Sequence, residues 1–392
     1  MSLPEFANAQ QLESILLAKI RSSSTQKVSF AEFMALALYH PQYGYYTTQV
    51  EIGSRGDFFT SASLGSDFGE LLAIQFTEMW HNLGCPNPFY LVEMGAGNGE
   101  LARDIWLYFR ANGESALKDA LNYLIIERSP YLIAQQQELL KPLGDFTVRW
   151  QDWNDIAPES IEGCFFSNEL VDAFPVHLIE KQQELQEIYL TIQNDALTEV
   201  SDRLSNDRLR EYFQTLEIDL LQSQYASGYR TEVNLAALDW LESVASKLKR
   251  GYLLTIDYGY SAEKYYRPAR SQGTLQCYYQ HRRHNNPYAN LGYQDLTAHV
   301  NFTALERYGE LYQLERVGFT QQGLFLMALG LGDRLNELSN GNFNPIEIFQ
   351  RRDALHQLIS PTGLGGFGVL AQSKNLDNPL SLRGFTMPTM QF

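Results

Sequence analysis

The spacing of apolar residues changes character near residue 89. Before it, Leu12, Ile15, Leu16 and Ile20 recur at helical spacing, so Leu12 to Arg21 is expected as an amphipathic helix. Phe30 to Tyr39 repeats the pattern, and a turn-rich stretch with Pro41, Gly44, Gly53 and Gly56 follows. Gly69 to Leu83 is a stronger helix. It carries Leu71, Leu72, Phe76, Met79, Trp80 and Leu83 on one broad face and is stopped by Gly84 and Pro86.

From Phe89 onward, short continuous apolar runs take over. Phe89 to Met94, Tyr123 to Glu127, Phe146 to Trp150, Gly163 to Ser167 and Gly251 to Ile256 read as five strands. Helical patterns at Leu101 to Phe109, Pro130 to Leu140 and Leu235 to Leu248 fall among them. The alternation predicts an α/β fold of βαβ units around a parallel sheet. Leu185 to Ile192 and Thr198 to Ser201 read as a hairpin outside that core, and Gly365 to Ala371 as a late antiparallel strand.

Composition narrows the function classes. With 392 residues, 44% of them apolar and 19% charged, the chain can bury a core without disulfides. A net charge of −16 argues against general affinity for nucleic acid or anionic membrane and leaves room for a cationic substrate. Cys85, Cys164 and Cys277 are far apart and form no CxxC, which argues against a disulfide framework or a structural zinc site. No run of 18 apolar residues and no targeting segment is visible, so a soluble cytoplasmic protein is expected.

The first chemical signal is Gly95-Ala96-Gly97-Asn98-Gly99, which follows a strand and opens a helix. Glycines there let the backbone approach a ligand at the sheet's C-terminal edge; the bland alternative is an ordinary tight turn. A dinucleotide site would use GxGxxG and seat a pyrophosphate on the helix N-terminus. Here the third glycine comes one residue early, Glu100 fills the slot, and Glu93 stands two residues before the loop. Acidic residues suit a ligand with an amino group and no phosphate, so S-adenosylmethionine is favoured over NAD. Glu127 could accept the two ribose hydroxyls, or cap its own turn. Asp152 and Trp153 could hold the adenine, although the indole could equally be core packing. Asn168, closing the fourth strand, is a further cofactor contact or a turn cap.

Several blocks resemble the MidA-type methyltransferases, a family that includes the mitochondrial complex I assembly factor that methylates an arginine. They are Arg55-Gly56-Asp57-Phe58-Phe59-Thr60-Ser61 with Phe68-Gly69-Glu70-Leu71-Leu72, Glu93 to Gly99, Ser167 to His177, Asp257-Tyr258-Gly259, and Asp295 to Phe302. The resemblance runs from about residue 10 to the C-terminus. It implies a Rossmann-like class I methyltransferase core, S-adenosylmethionine as cofactor, and methylation of a protein arginine, with a respiratory NADH dehydrogenase-type subunit as a possible partner. Ala96 stands where proline is common, and Asn301 where aspartate is common. The expected organisation is an N-terminal helical segment with a lid loop (1–85), a cofactor-binding core (86–260), a substrate-side insertion (261–345) and a closing helix and strand (346–392).

Arginine is a poor nucleophile because its guanidinium stays protonated, and carboxylates can orient it in a fork. Glu169 and Asp172, in the loop after the fourth strand, match by analogy the acidic pair of arginine methyltransferases. Asp57, between a glycine and two aromatics, is a third catalytic candidate on a lid loop; the alternative is a helix-entry turn anchored by Phe58 and Phe59. Cys277 to Tyr293, with His281, Arg282, Arg283, His284, Tyr278, Tyr279 and Tyr288, is the one basic aromatic stretch and reads as a docking loop or a solvated one. His299 is a possible general base or a structural residue. Two rivals remain: an assembly chaperone that binds the cofactor structurally, and a small-molecule methyltransferase. A nucleic-acid methyltransferase would need a Pro-Cys pair or an (N/D)PP(Y/F) loop. Cys85-Pro86 has the wrong order, and the fourth strand ends in Ser167-Asn168-Glu169-Leu170.

Overall fold

The computed structural model describes residues 3–48, 60–194, 196–280, 282–340, 344–376 and 381–386. The chain forms two compact units, each discontinuous in sequence. One comprises 52–170, 241–258 and 309–392, and the other 1–51, 171–240 and 259–308. Among the described residues no helix is long and apolar enough to cross a membrane.

The first of these units is built on a seven-stranded sheet: β1 (Phe89–Met94), β2 (Leu121–Ile126), β3 (Val148–Trp150), β4 (Ile161–Asn168), β5 (Leu248–Asp257), β6 (Glu315–Gln321) and β7 (Gly368–Lys374). Their order is β3-β2-β1-β4-β5-β7-β6. All are parallel except β7, which runs antiparallel to both β5 and β6. The central strands are continuous apolar runs because both faces of a parallel sheet are covered: Leu91, Val92, Leu124, Ile125, Phe165, Phe166, Leu253 and Leu254 are all buried. One cover is α1 (Asp67–Asn82), whose Phe76 ring lies 4.8 Å from that of Phe166. Gly69 lets α1 pass close to α2 (Glu100–Asn112), since a Cβ there would come 2.7 Å from the Asp104 Cβ. Next is α3 (Pro130–Leu140), begun by Pro130 behind a Ser129 cap that accepts the Leu132 N–H.

The other unit has an antiparallel sheet ordered Val28–Ser29, Leu185–Gln193, His177–Lys181, Tyr229–Val233, with Ala196–Asp202 hairpinned onto Leu185–Gln193. Helices Leu3–Ser22, Phe30–Tyr39 and Arg208–Thr215 belong to it. So does a three-stranded sheet in which Gln276–Tyr279 pairs with Arg282–His284 and Asp295–Thr297.

The five expected core strands are present, with ends shifted by a few residues, and the hairpin is present as well. The division of the chain differs from the contiguous one expected. The strong helix α1 sits in the sheet unit, not in an N-terminal segment, while 171–240 leaves the core and joins 1–51 and 259–308. Strand β6 was not anticipated.

Candidate functional site

The glycine loop joins β1 to α2. Gly95, Gly97 and Gly99 take φ of 69°, 55° and 88°, values that L side chains disfavour. The Gly95 N–H donates to the Ile126 carbonyl at 3.0 Å, and a Cβ on Gly95 would meet Leu170 Cδ1 at 2.8 Å. The loop is thus fitted between the ends of β2 and β4.

Gln136, fully buried on α3, connects three strand ends. Its Nε2 donates to the Gly97 carbonyl at 2.8 Å and reaches Glu127 Oε2 at 3.5 Å, and its Oε1 accepts the Trp150 Nε1–H at 2.7 Å. A Cβ on Gly99 would lie 3.3 Å from its Cγ. Sequence reasoning missed this residue. The signal was a polar side chain within the stripe Leu132, Gln136, Leu140.

Glu127 follows β2 directly. Its Oε1 accepts the N–H groups of Arg128 (2.7 Å) and Ser129 (2.9 Å), so one oxygen caps the turn. The expected two-oxygen grip on a ribose is therefore narrowed to Oε2. Burial pushes the Glu127 carboxyl upward against those bonds. Glu93 is buried in β1 and accepts the Tyr123 hydroxyl at 2.6 Å. Burial holds its carboxyl at about 7, with the Tyr123 bond opposing and nearby Glu127 adding to the rise.

At the end of β4, Glu169 takes φ of 53°, a strained value for a non-glycine residue. Its N–H donates to Ile256 O at 2.9 Å. Its Oε1 accepts the Ser61 N–H at 3.1 Å and the Asn168 Nδ2–H at 3.3 Å. Ser61, the last residue of the Arg55–Ser61 block, is fully buried and donates its hydroxyl to Gln322 Oε1 at 3.1 Å. The Oδ1 of Asn168 and the Oγ of Ser167 are buried without a hydrogen-bond partner among the described residues. Asp152 is exposed, its N–H donating to Asp155 Oδ2 at 3.2 Å. Trp153 stacks on Phe165 at 6.0 Å and 13°, a packing contact on the sheet face.

A family model for S-adenosyl-L-methionine-dependent methyltransferases matches residues 71–320. The chain belongs to this MidA-type methyltransferase family. Among its relatives, the protein arginine methyltransferase NDUFAF7 homolog of Drosophila melanogaster is 29% identical over 82% of this chain and 76% of its own. The human protein arginine methyltransferase NDUFAF7 is 28% identical over 89% and 80%. A COG1565 superfamily member from Burkholderia thailandensis, solved with S-adenosyl-homocysteine bound, superimposes with a TM-score of 0.86. It is 30% identical, over 98% of this chain and 97% of its own. The fold is that of the class I methyltransferases, and the cofactor of the family is S-adenosylmethionine.

This methyltransferase's own residues fit that cofactor. The glycines at 95, 97 and 99 leave three of the five loop positions without a side chain, Glu93 has a single donor among the described residues, and the orphaned Asn168 Oδ1 can accept an N–H or O–H. These groups offer acceptors to a ligand rich in donors and positive charge.

The remaining expected residues fall elsewhere. Asp57 and His281 lie outside the described residues. Asp172 is buried in a single turn, Val171–Ala173, assigned to the other unit. His299 stacks on Tyr260 at 4.8 Å, and burial, with Arg270 and Arg283 nearby, lowers it to about 4, which makes it a weak base. Asn301 is a structural cap: its Oδ1 accepts the Ala304 N–H at 3.2 Å and its Nδ2 donates to the Tyr212 hydroxyl at 3.1 Å. Within the basic aromatic stretch, Tyr288 is an anchor, donating to Glu199 Oε1 at 2.6 Å and packing 5.2 Å from Phe33.

Proposed function

We propose that this methyltransferase modifies an arginine of a partner protein, such as a subunit of an NADH dehydrogenase-type respiratory complex, in the cytoplasm. The acceptor assignment rests on the alignment with relatives named protein arginine methyltransferases over 82% and 89% of this chain. The cytoplasmic setting is supported by three cysteines that are all free thiols.

When bound, S-adenosylmethionine supplies an electrophilic methyl group on a sulfonium. The protein must hold the acceptor in line and keep a nitrogen lone pair available. Glu169 is the residue for that task. Its backbone is held in a strained conformation at the end of β4, and Ser61 and Asn168 fix one carboxylate oxygen, so the group is oriented in advance. A carboxylate so fixed can accept N–H bonds from a guanidinium and draw its charge away from the reacting nitrogen. Glu93, Glu127 and Asn168 hold the cofactor; Asp172 and Asp57 are further catalytic candidates.

The test combines mass spectrometry with one variant. Arginine methylation on the partner subunit should disappear in cells lacking this chain and return with it. Glu169→Gln keeps an acceptor for Ser61 and Asn168 but removes the charge. Turnover should fall on the order of 100-fold while S-adenosylhomocysteine affinity holds. Unchanged turnover would make Glu169 a bystander. Lost cofactor affinity would make it a cofactor ligand. No arginine methylation with the partner bound and cofactor saturating would favour the assembly-chaperone alternative.

A further inference from the structure

The unit formed by 1–51, 171–240 and 259–308 contains two buried carboxylates, Asp172 and Asp295, with relative exposures of 6% and 2%. They meet at one short strand. Asp295 opens Asp295–Thr297, and the carbonyl of Asp172 accepts the N–H of Ala298, just past its end, at 2.9 Å. Asp295 Oδ1 accepts the Tyr46 hydroxyl at 2.8 Å and the Leu296 N–H at 2.9 Å. Tyr46 lies on the Tyr39 ring at 5.5 Å and 20°, and the Tyr39 hydroxyl donates to Ala173 O at 2.9 Å, next to Asp172. Tyr278 is the cross-strand partner of Asp295.

Both acids act on the same phenols. The Tyr46 hydroxyl is pushed well above its ordinary value by burial first, then by Asp295, Tyr39 and Asp172. Tyr278 is pushed up by burial, with Asp295 and Asp172 adding to the rise and Arg283 opposing it. Tyr39, Tyr46 and Tyr278 are only half-buried, whereas the acids are buried. The tyrosines, and not the acids, keep partial exposure.

A second observation points to a ligand. Alternation along the strand puts Thr297 on the face that carries Asp295. Its hydroxyl is in a residue only 2% exposed and has no hydrogen-bond partner among the described residues. Buried hydroxyls are normally partnered, so this one is suited to a donor or acceptor that arrives from outside.

The chemistry selects the ligand. Two carboxylates in one low-dielectric cluster favour a cation. Tyrosine faces favour a planar, weakly hydrated one, and a fork of N–H groups can serve two acids and a hydroxyl together, where an ammonium offers only a compact point charge. We propose that Asp172, Asp295 and Thr297, faced by Tyr39, Tyr46 and Tyr278, form a receptor for an arginine side chain of the protein substrate. The proposal rests on the reading that the acceptor protein presents arginine. It adds a guanidinium-binding cluster contained within this unit.

The test is direct binding to the full chain saturated with S-adenosylhomocysteine, followed by saturation-transfer NMR. The probes are the N-acetyl amides of arginine, lysine and citrulline. The arginine probe should bind, with the neutral citrulline probe weaker by roughly tenfold or more. Asp295→Asn should weaken the arginine probe by about the same factor. Tyr46→Phe and Thr297→Val keep both acids and should weaken it by less, so the test survives if Asp295→Asn fails to fold. Equal binding by wild type and Asp295→Asn, a lysine probe that binds as tightly, or no binding by wild type would overturn the receptor. Methylation separates the two readings. Protein-arginine methylation that persists unchanged in a folded Asp295→Asn chain defeats the receptor alone. Arginine-probe binding without any arginine methylation defeats the proposed reaction alone.

Discussion

Glu93 and Glu232 are both buried glutamates that accept a tyrosine hydroxyl, yet their surroundings differ in a way that separates ligand site from scaffold. Glu232, in the strand Tyr229–Val233, accepts the N–H groups of Thr274 (2.8 Å) and Leu275 (3.0 Å), the Thr274 hydroxyl (3.0 Å) and the Tyr265 hydroxyl (3.1 Å). Gly273 is required beside it, since a Cβ there would overlap Glu232 Oε1 at 2.0 Å. Glu93 has one donor among the described residues, Tyr123. Burial pushes both carboxyls upward. A carboxylate whose lone pairs are filled by its own chain is a staple. One left with a single donor, at the end of a parallel strand beside a glycine-rich loop, has capacity for a cation.

Gly97→Val should have the largest effect on the ligand side. A branched residue at φ of 55° is strained and puts a side chain on the loop, so S-adenosylhomocysteine binding should be lost in calorimetry. Binding that survives would remove the loop from the site. Next is Glu232→Gln, which sets an amide N–H against donors. It should cost about 3 kcal/mol of unfolding free energy in denaturant titration and leave ligand affinity unchanged. Weaker ligand binding at full folding would dissolve the distinction.

Glu93 itself should give the mildest change. Glu93→Gln should weaken S-adenosylhomocysteine by about tenfold, with little loss of stability. The Glu93 carboxyl stands at about 7, against 4.5 in an unfolded chain. Between those values the folded state holds more protons, so its contribution to stability falls as pH rises through this window and levels off above it. Glu93→Gln should remove that slope. A ligand ammonium beside Glu93 would also expel its proton. At about pH 6, calorimetry in buffers of different ionisation enthalpy should show proton release that the variant lacks. Release that persists in the variant would belong to another group.

Legibility followed the same line. The strands β1, β2, β4 and β5 could be read because burial on both faces writes an unbroken apolar run into the sequence. The edge strand β6 could not: Glu315-Arg316-Val317-Gly318-Phe319-Thr320-Gln321 has mostly exposed or half-exposed positions and little periodicity. The glycine loop and Glu127 sit where a strand meets a helix, a local signal. Gln136 acts through groups 9 to 39 residues away in sequence, so only the fold reveals it. The acidic tyrosine cluster escaped for the same reason: Tyr39 and Tyr46 come from one end of the chain, and Asp295 lies some 250 residues on.

That long reach has a consequence for biosynthesis. Val28 pairs with Leu190, about 160 residues downstream. At roughly 5–20 residues per second, the N-terminal strand and the helices Leu3–Ser22 and Phe30–Tyr39 leave the ribosome some 10–30 s before the strand that completes their sheet is made. During that interval the apolar faces of Phe30, Phe33, Met34 and Leu38, all buried in the finished protein, lack their final cover. The nascent chain is therefore exposed to chaperones, or to aggregation, for much longer at its N-terminus than a domain that folds as it emerges.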